Sequence, residues 1–163
     1  MVDEAVSNAR SEGVDADFLR MDCQSMEFDD ETFDAVVSRN VIWTLVHPES
    51  CYSEMMRVLK PDGKMLIMDG NFYLNRDARA PENRKSGRDL HSRHNTDGVD
   101  FGMIDRIAED LPLSNVERPS WDVGILCRSE CSSIRIILPD RHRKSGPAHS
   151  FTIVASKGGC DRA

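Results

Sequence analysis

Apolar and polar positions follow two different periods along this chain. Phe33–Ser38 (FDAVVS) is a short β-branched run opened by an acidic cluster, which predicts a buried strand. From Pro48 to Leu59 the spacing becomes helical, with Tyr52, Met55, Met56 and Leu59 on one face. Pro48 supplies a preset φ at the start of that helix, and Glu49 suits its first turn. Lys60-Pro61-Asp62-Gly63 stops the helix and turns the chain, with Pro at the second turn position and Gly at the last. Lys64–Met68 (KMLIM) is a second apolar run, ending in Asp69. Strand, helix and strand in this order predict a βαβ unit in a parallel sheet.

The flanking segments carry weaker patterns. Met1–Gly13 reads as a helix ended by Gly at its C′ position, with Val2, Ala5, Val6 and Ala9 as a narrow stripe suited to a sheet. Ala16–Met21 reads as a strand. Phe101–Leu111 has Phe101, Ile104, Ile107, Ala108 and Leu111 at helical spacing, and Pro112 ends it. Ser120 caps a further helix, apolar at Val123, Ile125 and Leu126 and running through Arg128. Ser132–Leu138 and Ser150–Ser156 predict two strands of an antiparallel hairpin at the sheet edge, joined by a solvated basic turn over 141–147. The stretch 75–100 is the most polar of the chain. It has no apolar periodicity and reads as a loop or mobile lid.

Composition narrows the function classes. A length of 163 residues suits one domain. The net charge of −7 argues against a nucleic-acid backbone as the partner. No apolar run approaches a membrane span, so no membrane association is expected. Met1 leads straight into Val2-Asp3-Glu4, without the basic and apolar regions of a secretory signal. With five cysteines, an odd count at irregular spacing, this predicts free thiols in a reducing cytoplasm.

Phe33-Asp34-Ala35-Val36, then Arg57-Val58-Leu59-Lys60-Pro61-Asp62-Gly63, then Met65 to Asp69, resemble class I S-adenosylmethionine-dependent methyltransferases in element order and spacing. Phe18 to Cys23 (FLRMDC) resembles the strand of that family whose terminal acidic residue faces the adenine. The resemblance is close over residues 1 to 72 and looser beyond. It implies an α/β, Rossmann-like fold, S-adenosylmethionine as cofactor, and a small-molecule methyl acceptor. One feature of the family is absent from residues 1–163: no G-x-G turn follows a strand, and Gly158-Gly159 comes after the last one. The expected fold is therefore a partial methyltransferase sheet, mostly parallel with an antiparallel C-terminal hairpin, its first two strands missing. The chain is expected to be a single truncated domain over 1–163 with 75–100 as insertion or lid, and Met1 is either its true start or an internal methionine. Without those strands, Ala16–Met21 has no neighbour on either side.

Ligands of open α/β sheets sit outside the carboxyl ends of the strands. By the resemblance, Asp22 and Cys23 are the candidates for the adenine, through the carboxylate and a backbone N–H, with a plain turn role as the alternative for Asp22. Arg39 and Asn40, leaving the next strand, are the candidates beside the methyl donor. Asp69, Asn71 and Tyr73 are the substrate-binding candidates. Trp43 and Phe72 read as packing, His47 as structural. Methyl transfer rests on positioning rather than acid–base chemistry, so no catalytic residue is nominated. His91-x-x-His94 reads as a solvated face, and Cys127 and Cys131 lack partners, so no metal site is expected. The reading from another class is a non-catalytic methyltransferase remnant acting as an interaction or dimerisation module. In that reading a homodimer forms by strand addition at exposed sheet edges.

Overall fold

The predicted βαβ unit forms. In the computed structural model, which describes residues 2–74, 101–139 and 149–159, strand β1 (Phe33–Arg39) leads through a short 3-10 turn (Ile42–Thr44) to helix α2 (Pro48–Val58) and strand β2 (Leu59–Gly70). Helix α1 (Val2–Glu12) precedes them. Helices α3 (Phe101–Glu109) and α4 (Ser120–Leu126) and strands β3 (Cys131–Ile137) and β4 (Ser150–Lys157) follow. The expected lid over 75–100 with His91 and His94, the basic turn over 141–147, and Cys160 lie outside the described residues.

The sheet order is β1-β2-β4-β3. β1 pairs with β2 in parallel, and β4 pairs antiparallel with both β2 and β3. The fold is α/β with a mixed four-stranded sheet, as a partial Rossmann-like sheet requires, and the C-terminal hairpin is present. The parallel part is smaller than expected, because Ala16–Met21 forms no strand and makes no ladder. The reason is physical. An isolated strand leaves its N–H and C=O groups unpaired, and this segment lies on the surface with Phe18 37% and Leu19 61% exposed. β1 is correspondingly half-open rather than buried, with Val37 61% exposed.

The core lies on one face of the sheet. Residues 65 and 67 of β2 stand opposite residues 155 and 153 of β4, and Met65, Ile67, Ile153 and Ala155 are all buried. Cys51, Tyr52, Met55 and Met56 of α2 cover them, joined by Leu113 and Leu126. Each such side chain taken from water contributes about 1.5–3 kcal/mol. α1 buries no residue fully: Ala5, Val6 and Ala9 of its stripe are half-buried and Val2 is exposed. Ser120 is not a cap either: Pro119 occupies that position and the Ser120 hydroxyl donates to the Glu117 carbonyl at 2.9 Å.

The turn after α2 survives as an excursion at the start of β2. Phe33 pairs with Leu59, and Ala35 next pairs with Lys64, so residues 60–63 loop out. Asp62 has φ 64°, and a side chain on Gly63 would sit 2.8 Å from the Lys60 carbonyl oxygen. Only glycine fits there without displacement.

Candidate functional site

Two parallel carboxyl ends lie side by side where β1 and β2 stop. The ladder runs one step past β1, as the Asn40 N–H donates to the Met68 carbonyl at 2.9 Å. Asn40 then takes φ 55°, a left-handed conformation that Asn tolerates better than most residues and that turns the chain out of the sheet. The 3-10 turn follows with Ile42 fully buried as its anchor. Arg39 and Asn40 are both exposed at this end.

Asp69 closes β2 and faces inward. Its Oδ2 accepts from the Trp43 backbone N–H at 3.1 Å and from Arg118 Nη1 at 2.8 Å, and its Oδ1 accepts from the Gly70 N–H at 2.9 Å. Asn71 and Arg118 bond reciprocally: the Asn71 Nδ2 amide donates to the Arg118 carbonyl at 2.7 Å, and the Arg118 N–H donates to Asn71 Oδ1 at 3.0 Å. Arg118 also donates from Nε and Nη2 to Asp122, the shortest contact being 2.6 Å, and Tyr52 donates its hydroxyl to the same carboxylate at 2.6 Å. The Phe151 ring lies 5.1 Å from the guanidinium carbon. Arg118 is 1% exposed, Asp122 0% and Asp69 3%. Burial alone would lower the Arg118 pKa, but hydrogen bonding to Asp122 and the charges of Asp122 and Asp69 outweigh it and hold the guanidinium firmly protonated. Burial, then Asp122, pushes the Tyr52 hydroxyl far up, so it stays a donor.

The segment before β1 is fastened to α2. Asp22 Oδ1 accepts from the backbone N–H and side-chain amide of Gln24 at 2.9 and 3.1 Å. That backbone bond, chiefly, holds the Asp22 carboxyl below its ordinary range. Gln24 Oε1 accepts from the His47 N–H at 2.8 Å, and Glu54 Oε2 accepts from the Met26 N–H at 2.7 Å. Arg57 reaches the carbonyls of Phe28 and Met26 at 2.7 and 3.0 Å. Cys23 is half-buried against the core beside Cys51, whose thiol is pushed up first by burial and then by Cys23.

The structure bonds the segments around 39–43 and 69–73 to each other and ties the segment around 22–24 to the entry of α2 at His47, and it places the candidates differently within them. Asp22 and Cys23 lie at the surface end of a tied loop, and Asp22 makes a tight turn. Asp69 and Asn71 are buried, and their hydrogen bonds to Arg118 and Trp43 point into the protein. Tyr73 stacks on Trp43 at 5.3 Å between ring centroids with 25° between planes, while Phe72 lies 5.3 Å from Trp43 and 5.7 Å from His149. Sequence reasoning missed Arg118, Asp122 and Tyr52 as a unit. The Arg118–Asp122 spacing of four was the one signal available, and it marks only a surface pair on a helix.

A concavity lies elsewhere. A cavity of about 490 Å³ opens at the opposite end of the sheet, between Glu31, Pro61, Glu130, Lys157 and Gly159. The Lys157 amine there donates to the Leu59 carbonyl at 2.9 Å. None of the segments around 22–24, 39–43 and 69–73 lines it. Among the described residues no His, Cys, Asp and Glu side chains are grouped for a metal ion, and no helix is long and apolar enough to cross a membrane.

Residues 1–67 match the protein family described as "Methyltransferase domain". Phosphoethanolamine N-methyltransferase 1 of Triticum aestivum is 29% identical over 117 residues, which is 68% of this chain and 23% of that protein. Demethylmenaquinone methyltransferase of Clavibacter sepedonicus is 36% identical over 53 residues, 32% of this chain and 22% of that protein. The chain thus matches under a quarter of the length of these curated relatives. Among solved structures, a SAM-dependent methyltransferase from Methanosarcina mazei superposes with a TM-score of 0.55 at 20% identity, over 97% of this chain and 77% of that one. That likeness shows the fold.

Proposed function

We propose that this chain is a class I S-adenosylmethionine-dependent methyltransferase domain that binds S-adenosylmethionine at the carboxyl ends of β1 and β2 and serves methyl transfer to a small-molecule acceptor. The observation that carries the reading is the wiring of the three crevice segments. Gln24 holds the start of α2 through His47, and Asp69 holds the end of β2 to Trp43. The segments that would flank a ligand are therefore fixed relative to one another before it arrives, which lowers the ordering cost of binding.

The residues present fit this cofactor. Asp22 is exposed, and Gln24 favours its ionised form, in which both oxygens act only as acceptors, as suits an amino group. Arg39 and Asn40 present polar side chains at the end of β1, beside the methyl donor in this reading. When bound, the cofactor supplies an activated methyl group on a sulfonium centre. The protein's share is positioning and exclusion of water. Asp69 and Asn71 would shape the floor of the acceptor site through Arg118, and Tyr73 with Trp43 and Phe72 would form its aromatic wall. The names of the relatives point to different acceptors, so the acceptor is left at the level of a small molecule. The free thiols of Cys23, Cys51, Cys127 and Cys131 support a cytoplasmic setting.

Calorimetric titration of S-adenosylmethionine into the chain tests this reading. A Kd on the order of micromolar is expected, weakened in Asp22→Ala. Absence of binding overturns it. On the side of β1 away from β2 no strand lies among the described residues, and a second copy pairing there is the homodimer this reading allows. Sedimentation showing only monomer excludes that arrangement.

A further inference from the structure

We propose that the buried triad Asp69–Arg118–Asp122 gives the crevice floor a net negative charge that favours the cationic sulfonium cofactor over its uncharged thioether product. The inference rests on the cofactor reading above. Two carboxylates share one guanidinium, with Arg118 Nη1 2.8 Å from Asp69 and Nη2 2.6 Å from Asp122. Every recorded partner of either carboxylate is a donor: Trp43 N–H, Gly70 N–H, the Tyr52 hydroxyl and Arg118. An acceptor on all sides suits an ionised carboxylate, which has no proton to give. The triad therefore carries one uncompensated negative charge. Both carboxylate side chains are 0% exposed, so solvent and salt screen that charge little.

Its position gives it a role. Asp69 is the penultimate residue of β2, and its carboxylate also holds Trp43 in the turn that follows β1, so the charge lies at the carboxyl ends of the two parallel strands. Arg39 and Asp22 at the rim are exposed and of opposite sign, and water screens them. Over a separation on the order of 10 Å at an effective dielectric near 20, one unit charge favours a cation roughly tenfold. Substrate and product of methyl transfer differ by that one charge. A floor of this kind holds the reactive form and releases the spent one.

The test is the ratio of Kd values for S-adenosylhomocysteine and S-adenosylmethionine, measured by calorimetry on wild type and on Asp122→Asn. This substitution keeps shape and leaves Arg118 paired with Asp69 alone, so the triad becomes neutral. The expected result is a shift of the ratio toward the thioether of roughly tenfold. Equal movement of both affinities, or none, overturns the proposal, because a purely structural role would move both alike. Should Asp122→Asn not fold, wild type decides. Its ratio should stay within about twofold when salt is raised tenfold, whereas collapse with salt would assign the preference to the exposed rim charges instead. If wild type binds neither compound, the cofactor reading itself fails. If it binds both with an unshifted ratio, only the role of the triad fails.

Discussion

Replacing Arg118 with Met removes a guanidinium that is 1% exposed and bonded to two carboxylates. Met keeps much of the stem volume while losing the guanidinium over the Phe151 ring, so the change is mainly one of charge. What remains is a pair of carboxylates with 0% side-chain exposure and no cation between them. Breaking a buried pair by deleting one partner costs about 3–5 kcal/mol. Domains of this size have roughly 5–15 kcal/mol in total, so the variant should sit near the edge of folding. Urea unfolding followed by tryptophan fluorescence suits the test. Trp121 adjoins Asp122 in sequence, and the Trp43 N–H is bonded to Asp69. Adding Asp122→Asn to Arg118→Met should recover part of the loss, because one of the two stranded charges disappears. A loss below about 1 kcal/mol in the single variant, or a further loss in the double one, would refute the description of this network as a charged, desolvated unit.

Gly70→Ala should cost about 1–3 kcal/mol in the same assay, because a side chain there would collide with the His149 carbonyl where β2 meets β4. Glu54 is held below its ordinary value of 4.5 chiefly by its hydrogen bond from Arg57. Its contribution is complete above that value and is lost as pH falls through the lower folded one, so Glu54→Gln should flatten the fall in stability in acid titrations below about pH 4.5. Cys51 is buried with its thiol pushed up, whereas Cys127 is exposed. Alkylation of native protein at pH 8, read by mass spectrometry, should label Cys127 first and Cys51 only after denaturation.

Where the pattern was local, the sequence was readable. β1 and α2 emerged within a residue of their bounds, because periodicity and Pro48 act within a few positions. β2 ends two residues beyond its expected end but starts five residues early, at Leu59, with the Lys60–Gly63 turn looped out inside it. The final hairpin was legible for the same reason. The strand expected at Ala16–Met21 failed because a strand is defined by a neighbour, which composition cannot supply. α1 likewise has an apolar stripe but no buried residue. The candidate site divided along the same line. That Asp69 and Asn71 stand at the end of β2 followed from the pattern. That Arg118, 49 residues away from Asp69, would take hold of both did not, since long-range convergence of polar groups leaves no periodic trace.

The most direct test of the central claim is a two-dimensional amide NMR titration of the isotopically labelled chain with S-adenosylmethionine. The account predicts saturable shifts confined to residues around 22–24, 39–43 and 69–72, the segments of the proposed site at the carboxyl ends of β1 and β2. No shifts, or shifts centred on Glu31, Glu130 and Gly159 around the cavity at the other end of the sheet, would contradict it.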